Sequence, residues 1–286
     1  MYEHTMFRFK IFQNRQLDLF TKSIDNKHDF LIEVMKNREE IKGRYEGLFW
    51  CASNAEAIDK HGILFQFGKH KPGFHSTWDK DGKTFCEVGE EEGFFTNVYI
   101  ATDLEVCCIS HNYKLFQNIL DASKTLSMFL NSQKNEITNG CRFEISPLHN
   151  IDSFLEKTIH SYEIVSYELD ITRPNPTDVD EDIYGPLEKV VEESGSDTMK
   201  IRMRGKEIRR DKLKNVIRTA AAVGNQQSAI VRFSEKDKVT RLKSDKKDIA
   251  SIKSDAPLHL IDPEDFYTAV RNKYKEIRDG KPGDKR

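Results

Sequence analysis

Between Tyr45 and Val106 the chain keeps returning to a two-residue rhythm, and a stretch of that length with that period does not build helices. Phe49–Ala52, Gly62–Phe67, Thr84–Val88 and Phe94–Ala101 are strand-like runs separated by turn residues, the pattern of strands folding back on one another. Asp81-Gly82 predicts a type I′ hairpin turn, because both of its central residues need positive φ. A second tight turn at Thr102-Asp103 predicts that TNVYIA pairs with LEVCCIS, the most apolar run in the chain and therefore core.

Around this region the period changes. Met6–Phe12 (MFRFKIF) alternates apolar with cationic or polar residues and predicts a half-buried opening strand. Residues 15–40 are spaced as a helix, interrupted by a cap or turn at Asp25-Asn26 and stopped by Gly43. Residues 113–131 predict another, capped by Asn112, with Leu115, Ile119, Ala122, Leu126 and Leu130 on one line. CRFEI, a helix capped by Asp152 and EIVSYELDI follow as strand, helix and strand, expected to return parallel as in half of a ferredoxin-like unit. The fold class is α+β, with a mainly antiparallel sheet and packed helices in the N-terminal part.

Pro174 and Pro176 end this series, since proline cannot donate to a ladder, and place a domain boundary there. Three units are expected: an α+β domain over 1–173, an acidic linker with a short helix between Pro186 and Gly195 over 174–197, and a smaller basic α+β domain over 198–286. A closing helix over 262–278 has Asp262 as its cap. With 286 residues, 37% hydrophobic and 32% charged, the chain is long enough for two cores and too polar for a membrane protein. Five cysteines without a CxxC pair, mostly in apolar runs, fit a reducing cytoplasm and small core residues.

The net charge of -2 conceals a division. Residues 198–286 hold 24 Lys+Arg against 13 Asp+Glu, a net of +11, which leaves 21 against 34, or -13, for 1–197. Within Met199–Arg218 the strand-like half alternates Met199, Ile201 and Met203 with Lys200, Arg202 and Arg204. The helical half sets Arg210, Lys214 and Arg218 at i, i+4 and i+8 on an outward stripe, with Lys206, Arg209 and Lys212 beside them. Lys236, Lys238, Arg241 and Lys243, followed by Lys246 and Lys247, extend the same surface. Cations collected in this way suit a polyanion, and sequence-independent binding of nucleic acid, duplex DNA above all, is the expected function. The simpler possibility is that the two oppositely charged parts pair with each other.

Catalytic signatures are weak. The chain has no GxxxxGK[ST], no GxGxxG after a strand and no GxSxG. His61, His70 and His75 are the one histidine cluster worth testing for metal, and the segment containing them reads as a solvated loop, so neither metal nor cofactor is expected. Arg142 and His149 share the spacing of a helical ribonuclease family, but Pro147 breaks the helix that geometry requires. A metal-dependent nuclease using Glu168 and Asp170, or Asp103 and Glu105, is the alternative, and both pairs lack a lysine nearby in sequence. A protein-interaction subunit is the third reading.

The order of elements, with hairpins ending in an apolar strand pair (Phe94–Ser110), a helix at 113–131, strand-helix-strand at 141–171 and a basic C-terminal part, resembles RexA-type phage-exclusion proteins. The resemblance implies a sequence-independent DNA-binding, dimeric protein of anti-phage defence, acting with a partner protein. It supplies no catalytic residues to carry across.

Overall fold

The computed structural model describes the chain except for residues 13–23, 25, 59–60, 173–183, 197, 206–207, 245–247 and 281–286. It begins with strand β1 (Tyr2–Phe12) and helix α1 (Lys27–Asn37), whose N-terminal amides at His28 and Asp29 are capped by Asn26. The expected helix therefore starts at its expected break; the part over 15–23 lies outside the described residues. Strands β2 (Ile41–Lys42), β3 (Phe49–Ala57), β4 (Gly62–Asp79), β5 (Thr84–Ala101) and β6 (Val106–Ser110) follow. Helices α2 (Ile119–Asn131) and α3 (Asn135–Thr138), strand β7 (Arg142–Pro147), helix α4 (Asp152–Ile159) and strand β8 (Glu163–Thr172) come next. The remainder is α5 (Tyr184–Glu193), β9 (Thr198–Arg204), α6 (Arg210–Ala222), β10 (Gln226–Arg232), β11 (Thr240–Lys243), β12 (Ser251–Ser254) and α7 (Pro263–Asp279).

The protein is α+β, and its larger sheet is antiparallel throughout, in the order β12-β1-β6-β5-β4-β3-β2. β7 pairs with the far end of β1, beside the β12 pairing. The β5–β6 hairpin forms at the expected place, pairing Val98 with Ile109 and Ala101 with Val106. At Asp81-Gly82 the hairpin is correct but its turn type is not: Asp79 pairs with Thr84 across four residues, and among these only Lys83 has positive φ. The Asp79 carboxylate accepts from the Asp81 amide, so a local side-chain turn replaces the two-residue one.

β4 and β5 pair over their whole lengths, while β3 accompanies β4 only as far as His70. The hairpin therefore continues as a two-stranded arm from Lys71 to its turn. The stretch expected as a solvated loop is strand, because nine pairs from Lys71–Glu92 to Asp79–Thr84 satisfy its backbone. Exposed Trp78 and Phe85 meet edge-on at 4.9 Å near the tip.

A smaller antiparallel sheet has the order β11-β10-β8-β9. β8 pairs with β9 on one side and β10 on the other. The boundary expected at 173 therefore falls between two strands of one sheet, and β12, from the expected C-terminal domain, belongs to the other sheet. β7 and β8 lie in different sheets, so the expected parallel strand-helix-strand is not formed. Ser161 and Tyr162, between α4 and β8, lead the chain into the second sheet.

Two cores result. Phe7, Phe9, Phe65, Phe67, Val98 and Ile100 on one face of the large sheet bury against Leu31, Val34 and Met35 of α1 and Leu126, Phe129 and Leu130 of α2. On its other face Met6, Tyr99, Ala101 and Cys108 join Leu213 and Ile217 of α6, Phe266, Val270 and Tyr274 of α7, and Tyr167, Leu169 and Ile171 of the small sheet. The layers run from α1 and α2 through the large sheet and α6 and α7 to the small sheet. Complete burial of each such aliphatic or aromatic side chain stabilises by about 1.5–3 kcal/mol. Gly224, at φ +81 after α6, is a close approach of α6 to the large sheet: an added Cβ would meet Ser146 Oγ at 2.8 Å and Arg8 Cβ at 3.3 Å. Among the described residues no helix is long and apolar enough to cross a membrane.

Candidate nucleic-acid interface

Register decides where the cations of β9 go. Met199, Ile201 and Met203 pair with Ile171, Leu169 and Tyr167, and all six join the core that contains α6. Lys200, Arg202 and Arg204 pair with Asp170, Glu168 and Ser166, so the period of two sends them to the reverse face. Next to β8, Gln226, Ser228 and Ile230 of β10 pair with the same three β8 residues. Ser228 and Ile230 in turn pair with Lys243 and Arg241 of β11. Five cations, Lys200, Arg202, Arg204, Arg241 and Lys243, thus stand on one face against two acids, Glu168 and Asp170, with Arg232 and Glu163 paired to each other at 3.1 Å at its end.

Glu168 is the hub of that face. It is 8% exposed, and its oxygens lie 3.0 Å from Arg202 Nε, 2.8 Å from Arg241 and 3.8 Å from Lys200, with Ser228 Oγ donating at 3.3 Å. Lys200 also reaches Asp170 at 3.5 Å. The outer atoms remain in solvent: the side chains of Lys200, Arg202 and Arg241 are 59%, 43% and 51% exposed. Arg204 and Lys243 are exposed at opposite edges of the sheet. Four strands span about 14 Å across their hydrogen-bonding direction. His149, Gln226, Gln227 and Ser244 complete a groove between this face and the end of β7.

The helical half of the basic stretch behaves differently, and the expectation that it shares a surface with the strand is not met. α6 lies between the sheets, on the side of β9 opposite its cations. Arg218, expected outward, is 4% exposed; its guanidinium donates to the Glu276 carbonyl at 3.4 Å and stands 4.0 Å from Asp152. Arg210 donates to the carbonyls of Ile159, Ser161 and Tyr162 at 2.7, 2.7 and 3.0 Å, closing the C-terminal end of α4. Lys214 lines a depression with Asp152, Glu156 and Arg218. The i, i+4, i+8 stripe is thus a docking seam for α4: the spacing was real, but it faces a helix whose acids and terminal carbonyls match it.

Arg209 pairs with Asp211 at 2.9 Å, and its guanidinium holds the Asp211 carboxyl below its ordinary value. Lys212 is exposed on the first turn of α6. Lys236 and Lys238 are exposed in the β10–β11 turn, and Lys206, Lys246 and Lys247 lie outside the described residues. Pairing between the oppositely charged parts of the chain is also present: Glu163, Glu168, Asp170 and Asp152 meet Arg232, Arg202, Arg241, Lys200 and Arg218.

The carboxylate pairs considered for a nuclease are engaged. Glu105 bonds Arg8 and Lys27, and Asp103 accepts from Tyr267 and faces His61. Lys200, distant in sequence, does come beside Glu168 and Asp170, but an ion there would have to displace the guanidinium groups on Glu168. His61 and His70 do not cluster, since nine residues of β4 extend about 30 Å. The five-cation face was legible only in part. Two alternations of opposite charge, Glu168/Asp170 and Lys200/Arg202, announce a cross-strand match, but nothing local reveals that their strands are neighbours. No protein-family model matches the chain, and no curated protein matches it.

Proposed function

We propose that the protein binds nucleic acid through the exposed face of the small sheet, with Arg204 and Lys243 as its two edges and Lys200, Arg202 and Arg241 between them. The observation carrying this reading is an excess of three positive charges on one sheet face, five cations against two acids plus the self-neutralised Arg232–Glu163 pair, with the cationic ends in solvent. A duplex carries one charge per about 1.7 Å of axis, so a face about 14 Å wide meets several phosphates at once. Among the described residues none of the face's members is aromatic: Glu163, Ser166, Glu168, Asp170, Thr172, Thr198, Lys200, Arg202, Arg204, Gln226, Ser228, Ile230, Arg232, Arg241 and Lys243. It therefore offers phosphate contacts and no stacking platform, which favours a duplex backbone and sequence-independent binding over single strands. In the setting that the resemblance to phage-exclusion proteins implies, this face would hold DNA during anti-phage defence.

The test compares two double charge reversals by anisotropy of a labelled duplex at low salt. Arg204→Glu with Lys243→Glu changes the face by four charges and is expected to weaken retention at least tenfold. Lys212→Glu with Lys214→Glu makes the same change on α6 and is expected to leave it within about twofold. Equal loss in both, or none in the first, overturns the assignment to this face.

A further inference from the structure

Where the arm leaves the large sheet, three neighbouring segments bring together a carboxylate, a thiol and an imidazole. Cys51 is on β3, His70 on β4, and Glu40 directly precedes β2, whose Ile41 pairs with Trp50. Trp50 turns to the core and stacks on Phe67 and Phe116 at 5.5 Å. Phe49 pairs with His70 and stacks on its ring at 5.5 Å, so the period of two sets Phe49, Cys51 and His70 on the face opposite Trp50. Gly68 is the partner of Cys51, which leaves that stretch of the face without a side chain.

One donor atom from each of Glu40, Cys51 and His70 lies within 4.8 Å of the other two. His70 Nε2 is 3.3 Å from Glu40 Oε2. Two ligands on a tetrahedral zinc with bonds of about 2.0–2.1 Å stand about 3.3–3.4 Å apart, so this pair already has the spacing of a shared ion. A second observation comes from the other ring nitrogen. His70 Nδ1 is 3.3 Å from Glu91 Oε2 of β5, an ion-pair distance. Both ring nitrogens are shut off from solvent, yet neither makes an aligned hydrogen bond to the carboxylate beside it.

We infer that Glu40, Cys51 and His70 form a binding site for a divalent transition-metal ion, zinc by its donor set. Thiolate and carboxylate neutralise the ion, and the thiol proton leaves to solvent. Three protein ligands beside exposed Glu40 leave the fourth position open to water or a small ligand.

Chelator-treated full-length protein titrated with Co²⁺ alone tests this. A thiolate-to-cobalt charge-transfer band saturating at one equivalent and displaced by Zn²⁺ is expected. Cys51→Ser should abolish the band, and Glu91→Gln, at a side chain 75% exposed that supplies no ligand, should keep it. If Cys51→Ser does not fold, His70→Gln replaces it, with loss of at least tenfold in affinity expected. No band in the wild type, a band that survives Cys51→Ser, or unchanged affinity in His70→Gln overturns the site.

Discussion

Arg8 stands at the middle of β1 with its side chain fully buried, and three contacts make that tolerable. Its guanidinium donates to Glu105 at 2.7 Å, to the Leu104 carbonyl at 3.0 Å and to Tyr274 Oη at 2.9 Å, tying the β5–β6 turn to α7. Glu105 adopts φ +52, so the turn holds a non-glycine residue in the left-handed region to aim this carboxylate. Glu105→Gln is predicted to lower stability by about 2–4 kcal/mol in urea unfolding, because a buried charge loses its counterion. His4 presents the opposite case. Its ring bridges Ser110 Oγ at 2.9 Å and Ser254 Oγ at 2.8 Å, and burial pushes its pKa from 6.5 down to about 4 against the smaller raising effect of Glu3. The folded state keeps the ring neutral while the unfolded chain protonates it. Stability from this group is therefore full above pH 6.5 and is lost as pH falls towards 4. His4→Asn should flatten the dependence of unfolding free energy on pH across that window; an unaltered slope would contradict the assignment.

At the level of elements, α6 shows how a correct spacing can point to the wrong neighbour. Arg210, Lys214 and Arg218 fall on one side, as their spacing requires, but basic side chains serve equally well to close a helix terminus and to meet a phosphate. Arg210→Ala is predicted to cost about 1–3 kcal/mol, leaving three carbonyls at the end of α4 without their charged donor, and to leave duplex retention unchanged. Ile217→Ala, at a fully buried position, should cost about 2–5 kcal/mol. Elements with strong periodicity and a cap were readable directly: α7 starts behind Asp262, whose carboxylate accepts from the Glu264 and Asp265 amides. α2 was less so. Residues 113–118 have helical spacing but form a turn and a bend, and Asn118 rather than Asn112 caps the helix by accepting from the Leu120 amide. β12 escaped notice because four residues, SIKS, carry almost no pattern and acquire their strand from β1.

On the scale of the whole molecule, the charge division along the chain suggested two domains, whereas the strand pairings join them. β8 sits inside the second sheet, β12 returns to the first, and α6 and α7 fill the space between them. Pairings between Tyr2–Thr5 and Ser251–Ser254 are long-range contacts that no local signal announces. The same is true of the Cys51–His70 neighbourhood, assembled from three segments. The prediction is one cooperative unfolding transition, with Trp fluorescence and far-ultraviolet dichroism coinciding in urea; two separated transitions would restore independent domains. The division does survive as a distribution of charge: the acids of β8 neutralise part of the basic sheet and leave the remainder facing outward. Its direct measurement is the dependence of duplex affinity on salt. Three to five phosphate contacts predict a slope of log K against log salt between about -2.7 and -4.5, approaching zero in the Arg204→Glu, Lys243→Glu variant. A flat wild-type slope, or a variant slope equal to it, would contradict binding by this face.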